Sequence, residues 1–476
     1  MSAAAKELAP QIVWFVEPFG YAEAMRILDP KTEKKNPDLL KVLRNQGFTA
    51  VQGVGGNVNF STGQHELLHR TYVYAPGNPN AKNAGDRFTL AARLLDFPTS
   101  TDLHVQTWIP REIATYATFN WNLRERFPAM ETLVDEYAGQ KGVFSDVLDS
   151  LKTEKDGPKV DVEKEIIGNL GVRVTMMTDY ELPITPKSER LLFAAEIDMK
   201  KNDQPEKTIA DALDRLMRSD EQTADRPDGR MRRLDYQGIT IWEAVTEKKS
   251  SIPELEIEVV GGGIAHTDTH PTAYQAPKGR PGRGKNNGKP RPGQVAPEER
   301  LLPNQAVCVA HGHLYIASHK DILIKVLDHA NQVRAKQNAG VIAVGKISPS
   351  LDSSSDLNMV LIEMEQGFNA KDICMRAFSR TDEEYRPTYE LIRSNQMPKS
   401  ETMFGKMLNG MFGDGKPGSV RQSKINGEKL PEYDVVRRYL GPAGAFIAAD
   451  AEGWLMTGFT LRKTVSSAEA TTTTLR

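Results

Sequence analysis

Along this chain the spacing of apolar residues switches repeatedly between the two-residue period of a strand and the longer period of a helix. Residues 11–17, QIVWFVE, read as a buried strand. Helical patterns follow at 21–28 and at 38–46, the second opened by Pro37 and closed by Gly47. From 48 to 60, FTAVQGVGGNVNF alternates, Thr62-Gly63 marks a turn, and HELLHRTYVYAP runs to Pro76 as the returning arm of a hairpin. A short helix is expected at 88–96. Beyond Pro110, IATYATFNW reads as a strand, 123–137 as an amphipathic helix, and VRVTMMTD and RLLFAAEI as two further strands. Ile209, Leu213 and Leu216 share a face of a helix over 205–218, and GITIWEAV closes the set.

Residues 261–299 break the pattern, with six prolines between 271 and 297 and a run of basic residues unrelieved by an acidic one. Such a stretch cannot bury enough apolar surface to order itself and reads as a linker or long loop. After it, VCVAHGHLYIAS reads as a tight hairpin, with Ser318 placed to cap a helix over 319–330. Residues 356–412 read as mainly helical, and DVVRRYL, GAFIAAD and WLMTGFTLR as three closing strands. The expected organisation is an N-terminal α+β segment (1–98), a first α+β half (99–260), the Gly/Pro-rich basic linker (261–299), a second half (300–463) and a disordered tail (464–476). Strands outnumber the crossovers that a parallel sheet needs, so the expected class is α+β, with largely antiparallel sheets and packed helices. Both 172–245 and 306–461 offer a hairpin, then an amphipathic helix, then a further strand, which suggests two duplicated halves.

Composition narrows the function classes. With 39% hydrophobic and 26% charged residues the chain lies in the globular range, and its 61 basic against 63 acidic residues leave no overall field to draw a polyanion. A local patch does exist: Lys278, Arg280, Arg283, Lys285, Lys289 and Arg291 could hold a polyanion with salt-sensitive affinity. No aromatic residue interleaves them, so base stacking is not indicated and nucleic acid is not the expected partner. Cys308 and Cys374 are the only cysteines, too few and too far apart for a disulfide framework or a thiolate zinc site. No stretch approaches the roughly 20 apolar residues of a membrane span. The opening MSAAAKELAP lacks the apolar core of a secretory signal, and the abrupt strand at 11–17 suggests a piece of something longer.

The sharpest chemical motif is His65-Glu66-Leu67-Leu68-His69, an HExxH string. On a helix the imidazoles would stand about 6 Å apart and could share a zinc ion, with Glu66 activating water. On a strand they would share a face but sit about 13 Å apart, too far for one ion. The turn before the string and the TYVY run after it favour the strand. His266 and His270 lie in the Gly/Pro-rich segment, where nothing preorganises them, and His311 and His313 flank a hairpin glycine. The GVGGNV string at 53–58 is not GxGxxG and leads into a strand rather than a phosphate-binding helix. P-loop and hydrolase-elbow strings are absent.

Several strings together, among them GFTAVQGVGGNVNF (47–60), HRTYVYAP (69–76), GPKVDVEKEI (157–166), ELPITPKSERLLFA (181–194), VAHGHLYIAS (309–318), RPTYELIR (386–393) and YDVVRRYLGPAG (433–444), resemble a family of large predicted membrane or secreted proteins from planctomycete-type bacteria. The resemblance covers most of the chain. It implies export to the periplasm or beyond, and brings no catalytic residues, because the family has no established activity. The expectation is a non-enzymatic extracytoplasmic binding or structural protein without a cofactor, meeting a protein or cell-surface partner. The alternatives are a zinc-dependent metallopeptidase using His65, His69 and Glu66, and polyanion binding through the basic loop.

Overall fold

Runs rich in Val, Ile, Phe, Tyr and Thr fit a pleated surface, and here they join edge to edge. The computed structural model describes residues 9–28, 38–78, 80–81, 86–222, 230–245, 304–339, 349–397 and 427–463. The strands are β1 (Ile12–Val16), β2 (Gly53–Thr62), β3 (His65–Tyr74), β4 (Thr115–Asn120), β5 (Leu170–Tyr180), β6 (Glu189–Ile197), β7 (Arg230–Tyr236), β8 (Ile239–Val245), β9 (Ala306–Ala310), β10 (His313–Ala317), β11 (Ile373–Ser379), β12 (Ala443–Ala449) and β13 (Gly453–Leu461). Among the described residues these form one thirteen-stranded sheet in the order β1-β2-β3-β13-β12-β11-β4-β5-β6-β10-β9-β8-β7. Every adjacent pair is antiparallel. The expected α+β class with antiparallel pairing is present, and strands from the 1–98, 99–260 and 300–463 segments interleave within the one sheet. The expected 261–299 linker, with its six basic residues and His266 and His270, and the 464–476 tail lie outside the described residues.

The order reads the same from both sides of the central β11–β4 pair. Outward on one side come β12, β13, β3, β2 and β1; on the other come β5, β6, β10, β9 and β8, with β7 added beyond. Outward, each set is built in the same way: three consecutive strands counting the central one, then a hairpin, then a single strand. This correspondence differs from the one expected between 172–245 and 306–461.

Helices cover both faces. Register carries one row across the sheet from Leu68 through Phe459, Gly444, Phe378, Tyr116, Met177, Leu192 and Ala317 to Ala306. Onto this row pack α7 (Lys320–Ala339), through Ile322, Leu323, Val326 and Leu327, and α8 (Ser355–Ile362), through Leu357 and Val360. The opposite face takes α6 (Pro205–Gln222), whose Ile209 and Leu213 lie in clusters with Val307, Leu314 and Trp242. These are termed the α7 face and the α6 face.

Gly444 lets α8 sit directly on the sheet. A Cβ there would stand 2.4 Å from Val360 Cγ1 and 2.8 Å from Met364 Cε. Gly444→Ala is therefore expected to cost about 1–3 kcal/mol by overpacking, and adding Val360→Ala should recover part of the loss. Urea unfolding of the two variants checks this; equal losses with and without Val360→Ala would show that α8 is not what the methyl group meets.

Several expectations need correcting. The 356–412 stretch is interrupted by β11, an inner strand, before α9 (Thr381–Arg393). The run 434–440 is not a strand but a short helix, Tyr433–Val436, followed by a 3-10 turn. Tyr433 is buried there and donates to Asp382 O at 2.8 Å, while Arg437 reaches Glu383 at 3.0 Å, so contacts with α9 override the local β pattern. The helix over 123–137 is divided by a 3-10 turn containing Pro128, and 90–94 is 3-10 rather than α. Ser318 accepts from Leu191 N at 2.9 Å, tying the start of α7 to β6.

Candidate functional site

The HELLH string lies within β3, as its flanks suggest, but its two histidines do not share a face. Thr460 pairs with Leu67 and Leu461 with His65, so the register slips by one residue at Glu66. Such a bulge re-aims the side chain beyond it. His65 consequently lies on the α7 face, its ring 5.5 Å from Phe368 and 5.6 Å from Phe459, with Nε2 donating to Glu363 Oε1 at 2.9 Å. His69 lies on the α6 face over Gly458, where a Cβ would come within 2.1 Å of its Nε2. Burial lowers the His69 pKa. Glu66 pairs with Arg462 at 3.4 Å. The common face expected for the two imidazoles is thus corrected by the bulge.

The glycines that precede the string have a packing role. Phe15 lies against Gly53 and Gly55, and Trp14 against Gly56, each at distances a Cβ would close to between 2.8 and 3.3 Å. Rings of β1 cover what would otherwise be bare backbone on β2.

A different cluster stands out on the α7 face. One row beyond the apolar one, register aligns Arg376, Thr118 and Thr175 on β11, β4 and β5 and, past Ala194 of β6, Tyr315 on β10. All four are buried, under helices and under the segment that brings in Gln106 and Trp108. Hydrogen bonds link the two threonines to their neighbours. Arg173 Nε donates to Thr118 Oγ1 at 3.0 Å, Thr175 Oγ1 lies 3.3 Å from Thr118 Oγ1 and donates to Gln106 Oε1 at 2.9 Å, and Gln106 Nε2 reaches His313 Nε2 at 3.3 Å. His313 Nδ1 is 2.9 Å from His311 O. One assignment satisfies the chain: Gln106 donates to Nε2, and His313 carries its single proton on Nδ1 for the carbonyl. A neutral imidazole is what the surroundings favour, since burial pushes its pKa down to about 4. Trp108 packs on it at 4.8 Å between ring centroids.

Charge in this seam is poorly compensated. Arg376 is 5% exposed, and its Nε and Nη1 have no hydrogen-bond partner; Nη2 lies 3.7 Å from Glu365, whose side chain is largely exposed. Burial lowers even its guanidinium pKa, and the nearby Arg173 adds to that. Burial raises Glu196, which stands opposite His313 on β6.

His311 and His313 flank the β9–β10 turn, as expected. His311 and Gly312 take positive φ of 54° and 75°, Glu206 of α6 accepts from Gly312 N at 2.8 Å, and Arg334 reaches His311 Nδ1 at 2.9 Å. The adjoining cleft, lined by Glu206, Leu213, Trp242 and His311, measures about 250 Å³. That lies below the roughly 300–1,000 Å³ usual for small-molecule sites. Lys278, Arg280, Arg283, Lys285, Lys289 and Arg291 lie outside the described residues.

Among the described residues no helix is long and apolar enough to cross a membrane, and no three of His, Cys, Asp and Glu are grouped to hold a metal ion. No family model, curated protein or solved structure matches the chain.

Proposed function

We propose that this chain is a non-enzymatic binding or structural protein that works outside the cytoplasm. What carries the non-enzymatic reading is the disposition of the HELLH side chains: His65 is taken up by Glu363 and Phe368 on one face, His69 packs on the other, and Glu66 pairs with Arg462. A zinc peptidase needs two imidazoles converging on one ion with the carboxylate beside it. The extracytoplasmic part rests on the resemblance of its sequence strings to exported proteins. The mirrored strand order further supports descent from a duplicated unit, with residues 12–197 and 239–461 as the two copies.

Metal analysis tests the reading. Protein equilibrated with excess zinc and then dialysed is expected to retain far less than one ion per chain. Stoichiometric zinc that disappears in a His69→Ala variant would overturn the proposal and favour the peptidase.

A further inference from the structure

The sheet ends differently on its two sides. About the central β11–β4 pair, β1 corresponds to β8, yet β8 is covered by β7 while β1, among the described residues, pairs only with β2. The β7 edge is guarded by charge: Arg232 pairs with Glu243 at 2.6 Å and Arg233 with Asp214 at 3.3 Å. Charged side chains of this kind discourage addition of another strand. The β1 edge has no such guard. The buried strand expected over 11–17 is instead an exposed edge: its sequence IVWFV holds no charged residue, Val13 and Phe15 are 70% and 72% exposed, and Ile12 is 46% exposed. In α1 (Pro18–Leu28), which follows, the charges are turned to α2 (Leu39–Asn45) and its cap, Glu23 to Arg44 at 2.8 Å and Arg26 to Asp38 at 3.0 Å. Tyr21, Met25 and Ile27 remain exposed.

We propose that β1 is a self-association edge, to which a second copy of this chain adds its own β1 in antiparallel register centred on Trp14. That register sets Val13 opposite the partner's Phe15, and Phe15 opposite the partner's Val13, on one face of the continued sheet. It also sets Ile12 opposite the partner's Val16. Aromatic against β-branched is a favourable cross-strand pair, and both residues are the most exposed of the strand. A two-fold contact is self-complementary only if no charge meets its own copy, and β1 has none to meet. Ile12, Val13 and Phe15 together leave roughly 350 Å² open at this edge, and an added strand would extend the backbone ladder beside them. The added strand would occupy on this side the position that β7 fills on the other. The inference does not depend on whether the protein is an enzyme.

Charge exchange at the two exposed positions tests it; because the Phe15 ring also covers Gly53 and Gly55, circular dichroism checks that each variant keeps the sheet. The full chain is expected to sediment as a dimer at micromolar concentration. Val13→Lys/Phe15→Lys and Val13→Glu/Phe15→Glu variants should each dissociate at least about 100-fold more readily, because like charges then face each other across the dyad. Both should keep the wild-type circular dichroism. Mixing the two should restore a dimer containing one chain of each. A wild-type chain that stays monomeric, variants that remain dimeric, or monomeric variants that fail to pair on mixing would each overturn the proposal; the first outcome would point to a foreign strand at this edge and the last to another register.

Discussion

Acidifying the protein from about pH 6.5 to about pH 4 is expected to remove about 3 kcal/mol of folding stability through His313 alone. The sign follows from the direction of the shift. In the unfolded chain this imidazole titrates near its ordinary value of about 6.5; in the fold, burial on the α7 face, with a further push from Arg173, holds it at about 4. Between those values the unfolded chain binds a proton that the folded chain refuses, so the contribution is complete above about 6.5 and is lost as pH falls toward 4. Protonation would also set an Nε2–H against Gln106 Nε2, a donor against a donor, and break the relay to Thr175. His69, His311 and His329 are lowered by burial as well and add in the same direction. Replacing His313 with asparagine keeps a donor near the His311 carbonyl and removes the titration. Urea unfolding at about pH 7 and about pH 4.5 should therefore show a clearly shallower pH dependence in His313→Asn than in wild type. An unchanged slope would place the acid sensitivity elsewhere.

The antiparallel sheet was legible in the sequence because most strands alternate and are punctuated by turns. HELLHRTYVY followed a Thr-Gly turn and ended at a proline, and β3 formed there. What the pattern could not reveal was the one-residue slip at Glu66, which depends on pairing with β13, hundreds of residues away in the chain. β11 was hidden because ICMRAFS is short and flanked by helical sequence on both sides. β7, RMRRLDY, escaped for the opposite reason: an edge strand carries the charges that make it read as solvent-exposed loop. The buried seam was illegible for a more general cause. Alternation assigns the polar member of each pair to solvent, which holds when one face of a sheet is wet. Here α6 covers part of one face and α7 and α8 cover the other, so Thr118, Thr175 and Arg376 sit at alternating polar positions and are nevertheless inside.

Arg376→Met is expected to stabilise the fold by about 1–4 kcal/mol, the range found when buried ionic groups give way to apolar residues of similar volume. Arg376 is 5% exposed, and two of the three nitrogens of its guanidinium have no partner. Its one carboxylate, Glu365, stands at 3.7 Å with its side chain 54% exposed, where solvent screens the attraction. Arg173, a like charge, lies close enough to lower its pKa further. Desolvation therefore outweighs Coulombic gain. Methionine follows the path of the arginine stem between Phe446 and Thr118, its register neighbours, and brings no charge to desolvate. Arg376→Ala serves as the contrast: it removes the same charge but empties the stem's volume, so it should fall about 2 kcal/mol or more below the methionine variant. Urea midpoints for the three proteins should rank methionine first, wild type second and alanine third or level with wild type. A methionine variant less stable than wild type would mean that Arg376 is compensated inside the fold by interactions stronger than its contact with Glu365.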